Sequence, residues 1–145
     1  MKPNPNHQEV AEFRELLRGA GLRSTAPRLA VLRVLSKSKS PLTHAEIADM
    51  LVPMGYDKAT VFRNLNDLAE VDLVTRTELG DHAWRFELRD PSDPTSGRHP
   101  HFVCVDCGSV TCLSDVEFND ATKRRAAQIG QVTEILLKGH CTSCR

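Results

Sequence analysis

Residues 43–70, THAEIADMLVPMGYDKATVFRNLNDLAE, decide how the rest of the chain is read. Thr43 and Glu46 have the spacing of a capping box, in which side chain and backbone satisfy each other at a helix start, and Ile47, Met50 and Leu51 follow as inward positions. The spacing predicts a short helix over 44–53. Gly55 marks a turn, Asp57 can cap the next element, and residues 58–70 read as a helix with Val61, Leu65, Leu68 and Ala69 on its inner face.

Working outward, residues 8–19 predict a first helix with Val10, Phe13, Leu16 and Leu17 on one stripe, closed by Gly19 and Gly21. Thr25 is placed to cap a second helix, since Pro27 is tolerated only near a helix start; Ala30, Val31, Val34 and Leu35 form its buried face and the polar run 36–40 ends it. Downstream, the segments 73–77 and 83–88 flank Gly80 and Asp81, whose chemistry suits a hairpin turn. Helix, tight turn, helix and hairpin together read as a winged helix-turn-helix.

Pro91 and Pro94 with small polar neighbours give residues 90–98 the composition of a linker. Beyond it, 102–105 and 109–113 predict two strands around a Cys-x-x-Cys-Gly turn. Ser114 and Glu117 make a second capping-box pattern ahead of a helix to about residue 129, with Val116, Ala121, Ala126 and Ile129 inward, and 132–137 predicts a third strand. The fold class expected is α+β: a winged helix-turn-helix domain over 1–89, a linker over 90–98 and a small α/β domain over 99–145.

A chain of 145 residues, 40% hydrophobic, can form a globular core. Two half-chains of this size are each marginal and gain from a metal or a partner subunit. Formal net charge is zero, from 19 Lys/Arg and 19 Asp/Glu. A broad, nonspecific polyanion binder is therefore disfavoured, although locally placed arginines can still make a DNA surface. The first ten residues are polar, and no run approaches the roughly 18 apolar residues that span a bilayer. A cytoplasmic protein with no membrane partner is expected, and there five cysteines argue for metal or redox chemistry before disulfides.

Cys104-x-x-Cys107 and Cys141-x-x-Cys144 each bring two sulfurs to one side of a metal, the first pair helped by Gly108. Four thiolates satisfy tetrahedral Zn2+ with no open coordination position, which points to structural support and not to catalysis. The plain alternatives are four unrelated thiols or a redox-active pair. His99 and His101 precede the first pair, and in an extended strand side chains two apart face the same way, so they can hold a second divalent cation. His82, Glu87 and Cys112 are candidate co-ligands; the plain alternative is a His pair on a wet linker edge. His44 and His140 are also possible ligands, the plain alternative for each being an exposed or hydrogen-bonded histidine.

The predicted helix after Asp57 carries Lys58, Thr60, Phe62, Arg63 and Asn64 near its start, where a recognition helix meets bases and phosphates. Arg63 has a guanidinium fork suited to guanine or phosphate, and Phe62 suits a thymine methyl group. Arg23, with Arg14 and Arg18, adds phosphate or minor-groove candidates. The plain alternative for each is a solvated helix residue.

These residues resemble the ferric uptake regulator family. The run Ala59-Thr60-Val61-Phe62-Arg63-Asn64-Leu65 is similar to its recognition-helix motif, and residues 21–28 are similar to the stretch that opens its second helix. Residues 99–108 resemble its metal-rich hinge with the first zinc pair, and residues 139–144 resemble its terminal pair. The resemblance implies a homodimer built on a dimerisation domain, double-stranded operator DNA as partner, and a regulatory metal at the junction held by Glu87, His99 and His101. It also exposes departures. The family's carboxylate after the first zinc pair falls on Cys112, its interdomain histidine falls near Leu42 with His44 displaced, and its last-strand histidine falls on Thr133. A thiolate at Cys112, helped by His82, leans the regulatory site to Zn2+ over Fe2+ or Mn2+. The expected function is a metal-responsive repressor. The alternatives are a peroxide- or redox-sensing regulator of the same family, and a zinc interaction module or small zinc enzyme without DNA function. An enzyme is not expected, since the four-cysteine arrangement offers neither an open position nor a general base.

Overall fold

The computed structural model describes residues 5–79, 82–89, 99–113, 115–132 and 134–144. The Gly80-Asp81 turn, the 90–98 linker, Ser114 and Thr133 lie outside them. An α+β chain results: helices α1 (Pro5–Gly19), α2 (Ala26–Lys37), α3 (His44–Leu51) and α4 (Lys58–Glu70) precede a small sheet, and a second sheet with helix α5 (Asp120–Ile129) follows.

The N-terminal region is organised around one apolar cluster. Leu17 of α1, Val31 and Leu32 of α2, Ile47 of α3, and Val61, Leu65 and Leu68 of α4 are fully enclosed. On α4 the buried positions 61, 64, 65 and 68 follow the helical period, so its opposite face stays in solvent. Thr43 Oγ1 accepts from Glu46 N at 3.1 Å, and Asp57 accepts from Thr60 N at 2.7 Å, starting α3 and α4 where the sequence places them. Helix α3 ends at Leu51, earlier than expected, because residues 52–54 tighten into a 3-10 turn around Pro53, and Gly55 follows at φ 101°. Met50 is half exposed and not inward, because the buried face of α3 is set by Ile47, Ala48 and Leu51. Thr25 stands at the N-cap of α2 but makes no side-chain cap bond; Pro27 has removed one of the amides such a cap would serve.

Strands β2 (Val74–Glu78) and β3 (Trp84–Leu88) form the antiparallel wing hairpin. A two-residue strand β1 (Leu42–Thr43), not anticipated from the sequence, adds to the other side of β3, pairing Leu42 with Phe86 and Thr43 with Arg85. Thr43 thus serves as a sheet rung and as the cap of α3.

In the second sheet β4 (His101–Cys104) lies centrally, antiparallel to β5 (Val110–Cys112) and parallel to β6 (Leu136–Gly139). The last strand falls later than predicted, and its register sets Gly139 opposite Cys104. A Cβ at Gly139 would come within 3.3 Å of the Phe102 ring, so this close parallel approach suits glycine. Helix α5 starts after Asn119, whose side chain accepts from Thr122 N at 2.8 Å, and not at the Ser114/Glu117 pattern. Asn119 is at least as good a cap as serine, and Asp120 adds a negative charge to the first turn. No residue of α5 is buried: Ile129 is 78% exposed, and Val116 just ahead of the helix is exposed as well. Among the described residues no helix is long and apolar enough to cross a membrane.

Candidate metal centres

Among the described residues two groups of four potential ligands emerge, each with its ligand atoms within 4.8 Å of one another. In the first, Cys104 ends β4, Cys107 lies in the following turn, and Cys141 and Cys144 follow β6. The parallel register that sets Cys104 beside Gly139 carries Cys141 to the same edge. Gly108, at φ 74°, closes the turn in a left-handed conformation that a side chain rarely adopts. Cys107 and Cys141 sulfurs are 3.9 Å apart. A tetrahedral ion with metal–sulfur bonds of about 2.3 Å needs sulfurs roughly 3.8 Å apart. That pair matches the spacing, and all four sulfurs lie within 4.8 Å of one another, close enough to share such an ion.

Electrostatics in this group already distinguish the sulfurs. Backbone amides of Cys107 and Cys141 aimed at the Cys104 sulfur lower its pKa to about 6, the second seen as Cys141 N donating at 3.3 Å. Hydrogen bonding to Ser109 lowers Cys107. Cys144, sharing its proton with the Cys141 and Cys107 sulfurs, is pushed up to about 12. Thiolate character concentrated at one end of a cluster of thiols is suited to capture of a soft cation. Beside it, His140 Nδ1 and Asp106 Oδ2 lie 2.5 Å apart and link the two cysteine turns.

The second group joins the wing to the C-terminal sheet. Glu87 comes from β3, His101 and Cys112 from the directly paired positions of β4 and β5, and His99 from just ahead of β4. Glu87 Oε1 lies 3.0 Å from His99 Nε2 and Oε2 lies 3.3 Å from His101 Nε2, while the Cys112 thiol donates to Oε1 at 3.2 Å. His101 is almost wholly enclosed. Burial by itself would raise the Glu87 carboxyl, but the His101 hydrogen bond, the His99 charge and the Cys112 thiol outweigh it and hold the carboxyl below its ordinary range. Burial and the Glu87 charge push the Cys112 thiol up to about 12. His99 Nε2, though close to Glu87, is buried without an aligned hydrogen-bond partner. A buried imidazole nitrogen without an aligned partner, beside a carboxylate, a second imidazole and a sulfur, belongs to a donor set that a divalent cation would satisfy by displacing the imidazole's proton.

His82 is not brought to this group. It is exposed in the wing at φ 61°, with its backbone N–H on Glu78. His44 lies away from both groups, its Nε2 3.1 Å from Lys58 O.

The DNA-facing candidates divide. Arg23, Lys58, Phe62 and Arg63 are exposed, Thr60 is half-buried, and Arg63 reaches Thr60 Oγ1 at 3.4 Å. Asn64 is buried on the inner face of α4, because it shares the helical period of Val61 and Leu68, so it does not belong with the exposed set. Arg28, which the sequence did not single out, donates through Nη1 to Arg23 O and through Nη2 to Asp67, tying the segment before α2 to α4. Only its place between Pro27 and an apolar run hinted that it points inward.

The family model described as the ferric uptake regulator family matches residues 19–138. The ferric uptake regulation protein of Escherichia coli K12 is 34% identical over 137 residues, covering 89% of each chain. Among solved structures, the Vibrio cholerae ferric uptake regulator aligns with a TM-score of 0.69 at 31% identity, over 88% of this chain and 98% of that one. The Pseudomonas aeruginosa ferric uptake regulator with manganese aligns at 0.63 and 30%, over 90% and 98%.

Proposed function

Since the chain belongs to the ferric uptake regulator family, whose members are metal-dependent transcriptional regulators and not enzymes, we propose that it is a repressor that binds operator DNA as a homodimer when a divalent cation joins its wing to its C-terminal sheet. The observation that carries this reading is the second ligand group, whose members come from both regions of the chain. With a cation among them, Glu87 fixes β3 against β4 and β5. The cation shifts the population toward that arrangement only as far as it binds it more tightly than the alternatives.

The four-cysteine group is read as a structural Zn2+ site, and the second group as regulatory. Glu87, His99, His101 and Cys112 make a compact four-donor set with one soft sulfur, which suits Zn2+ better than the oxygen-rich, higher-coordinate surroundings favoured by Mn2+, and leans the same way against Fe2+. A second carboxylate-and-histidine site is not proposed, because Cys112 and Thr133 occupy the positions that would supply it. The exposed residues Val105, Val116, Ile129, Val132 and Leu137, all in the C-terminal region, supply apolar surface for a second copy of the chain. Lys58, Phe62 and Arg63 on the solvent face of α4 are the proposed base and phosphate contacts, with Arg23 on the backbone.

The test is metal analysis before and after mild chelation, followed by binding of each form to duplexes enriched from a random pool. The expected result is about one retained zinc and one removable cation per chain. Restoring the removable cation should raise DNA affinity on the order of ten-fold or more. His101→Ala should abolish that response while keeping the retained zinc. A variant that answers every divalent cation as the parent does would overturn the regulatory assignment.

A further inference from the structure

His44 belongs to neither ligand group, yet it links the start of α3 to the start of α4. Its Nε2 lies 3.1 Å from the carbonyl oxygen of Lys58, the first residue of α4. A carbonyl can only accept, so Nε2 carries the hydrogen, and the neutral Nε2–H tautomer and the imidazolium both meet that demand. The Lys58 carbonyl also serves the helix four residues on, at Phe62, and its second lone pair is free for the imidazole. The same imidazole meets the Phe62 ring edge to face, with centroids 5.3 Å apart and planes inclined at 66°. Phe62 is 49% exposed, and an aromatic ring so open would otherwise change rotamer freely.

We propose that His44 is a positioning residue for DNA recognition, holding the first turn of α4 and the Phe62 ring in the pose in which they meet the duplex. The inference rests on the DNA-binding function proposed above. Both contacts end on one side chain, so they set the backbone of the reading helix and its exposed ring together. Contact with a thymine methyl depends on where the ring lies, whereas contact with phosphate by a long, charged side chain such as Lys58 tolerates small shifts. His44 therefore acts on sequence preference more than on general affinity for duplex DNA.

A double-mutant cycle tests this. The parent, His44→Ala, Phe62→Ala, the double variant and His44→Gln are compared, all zinc-loaded, on a duplex enriched from a random pool by the parent and on an unrelated duplex at the same salt. His44→Ala should lose on the order of ten-fold on the enriched duplex, as one hydrogen bond and one ring contact would give, and little on the unrelated one. The double variant should lose clearly less than the two single losses combined, since part of what His44 contributes passes through that ring. His44→Gln, whose amide can still donate to Lys58 O, should recover part of the loss. Losses that simply add, equal losses on both duplexes, or no loss would each overturn the role of His44. Failure of the parent to enrich any sequence would instead overturn the DNA-binding function itself.

Discussion

Every member of the apolar core cluster lies between Phe13 and Phe86, whereas among the described residues from 99 onward only Pro100, His101 and Cys104 are buried. The first region encloses whole leucines and valines from four helices and a sheet, each such side chain contributing about 1.5–3 kcal/mol when removed from water. The second has a three-stranded sheet and a helix with no buried residue, and what comes together there is one complete set of candidate metal ligands and three of the four members of another. The difference teaches that the two regions obtain their order from different sources. One closes on its own apolar surface; the other buries little of its own, and under the function proposed above a cation and a second copy of the chain would supply the rest.

Replacing Cys104 by serine should break the contrast most severely. Residues 99–144 are expected to lose amide-exchange protection by about a hundred-fold or more, while α1 to α4 keep theirs. Equal loss in both regions would mean that they fold as one unit. The mirror change is Leu65→Ala, at a fully enclosed position of α4. It should cost about 2–5 kcal/mol in the helical region, read as a lowered thermal midpoint, with zinc retention unchanged. Ile129→Glu should have the smallest effect. It places a charge on exposed apolar surface, and sedimentation should show dimerisation weakened by about 1–3 kcal/mol with the unfolding of α1 to α4 unaltered. A variant that dimerises as the parent does would remove Ile129 from the interface.

What could be read from the sequence follows the same division. In the helical region local signals agree with tertiary packing: the caps at Thr43 and Asp57 and the stripe Val61, Leu65, Leu68 lie where the spacing puts them. Strand β1 was missed because two residues carry no periodicity, and its existence depends on β3, more than forty residues away. Beyond residue 99 the ligand types were legible, since cysteine and histidine spacing reflects coordination chemistry more than packing. The strand and helix limits were not. Parallel pairing of β6 with β4 is a long-range choice, and apolar positions such as Val116 and Ile129 read as inward from their type although both are exposed. Asn64 fails for the opposite reason: a polar residue next to Arg63 reads as a surface contact, although its place in the helical period turns it into the core.

The short strand β1 gives β3 two duties. Glu87 sits two residues along β3 from Arg85, the rung that holds Thr43, and Thr43 in turn caps α3 by accepting from Glu46 N. Glu87 and the start of α3 are thus joined through one short ladder of backbone pairing, so a pull on that carboxylate would reach the helix cap along β3 and across a single rung.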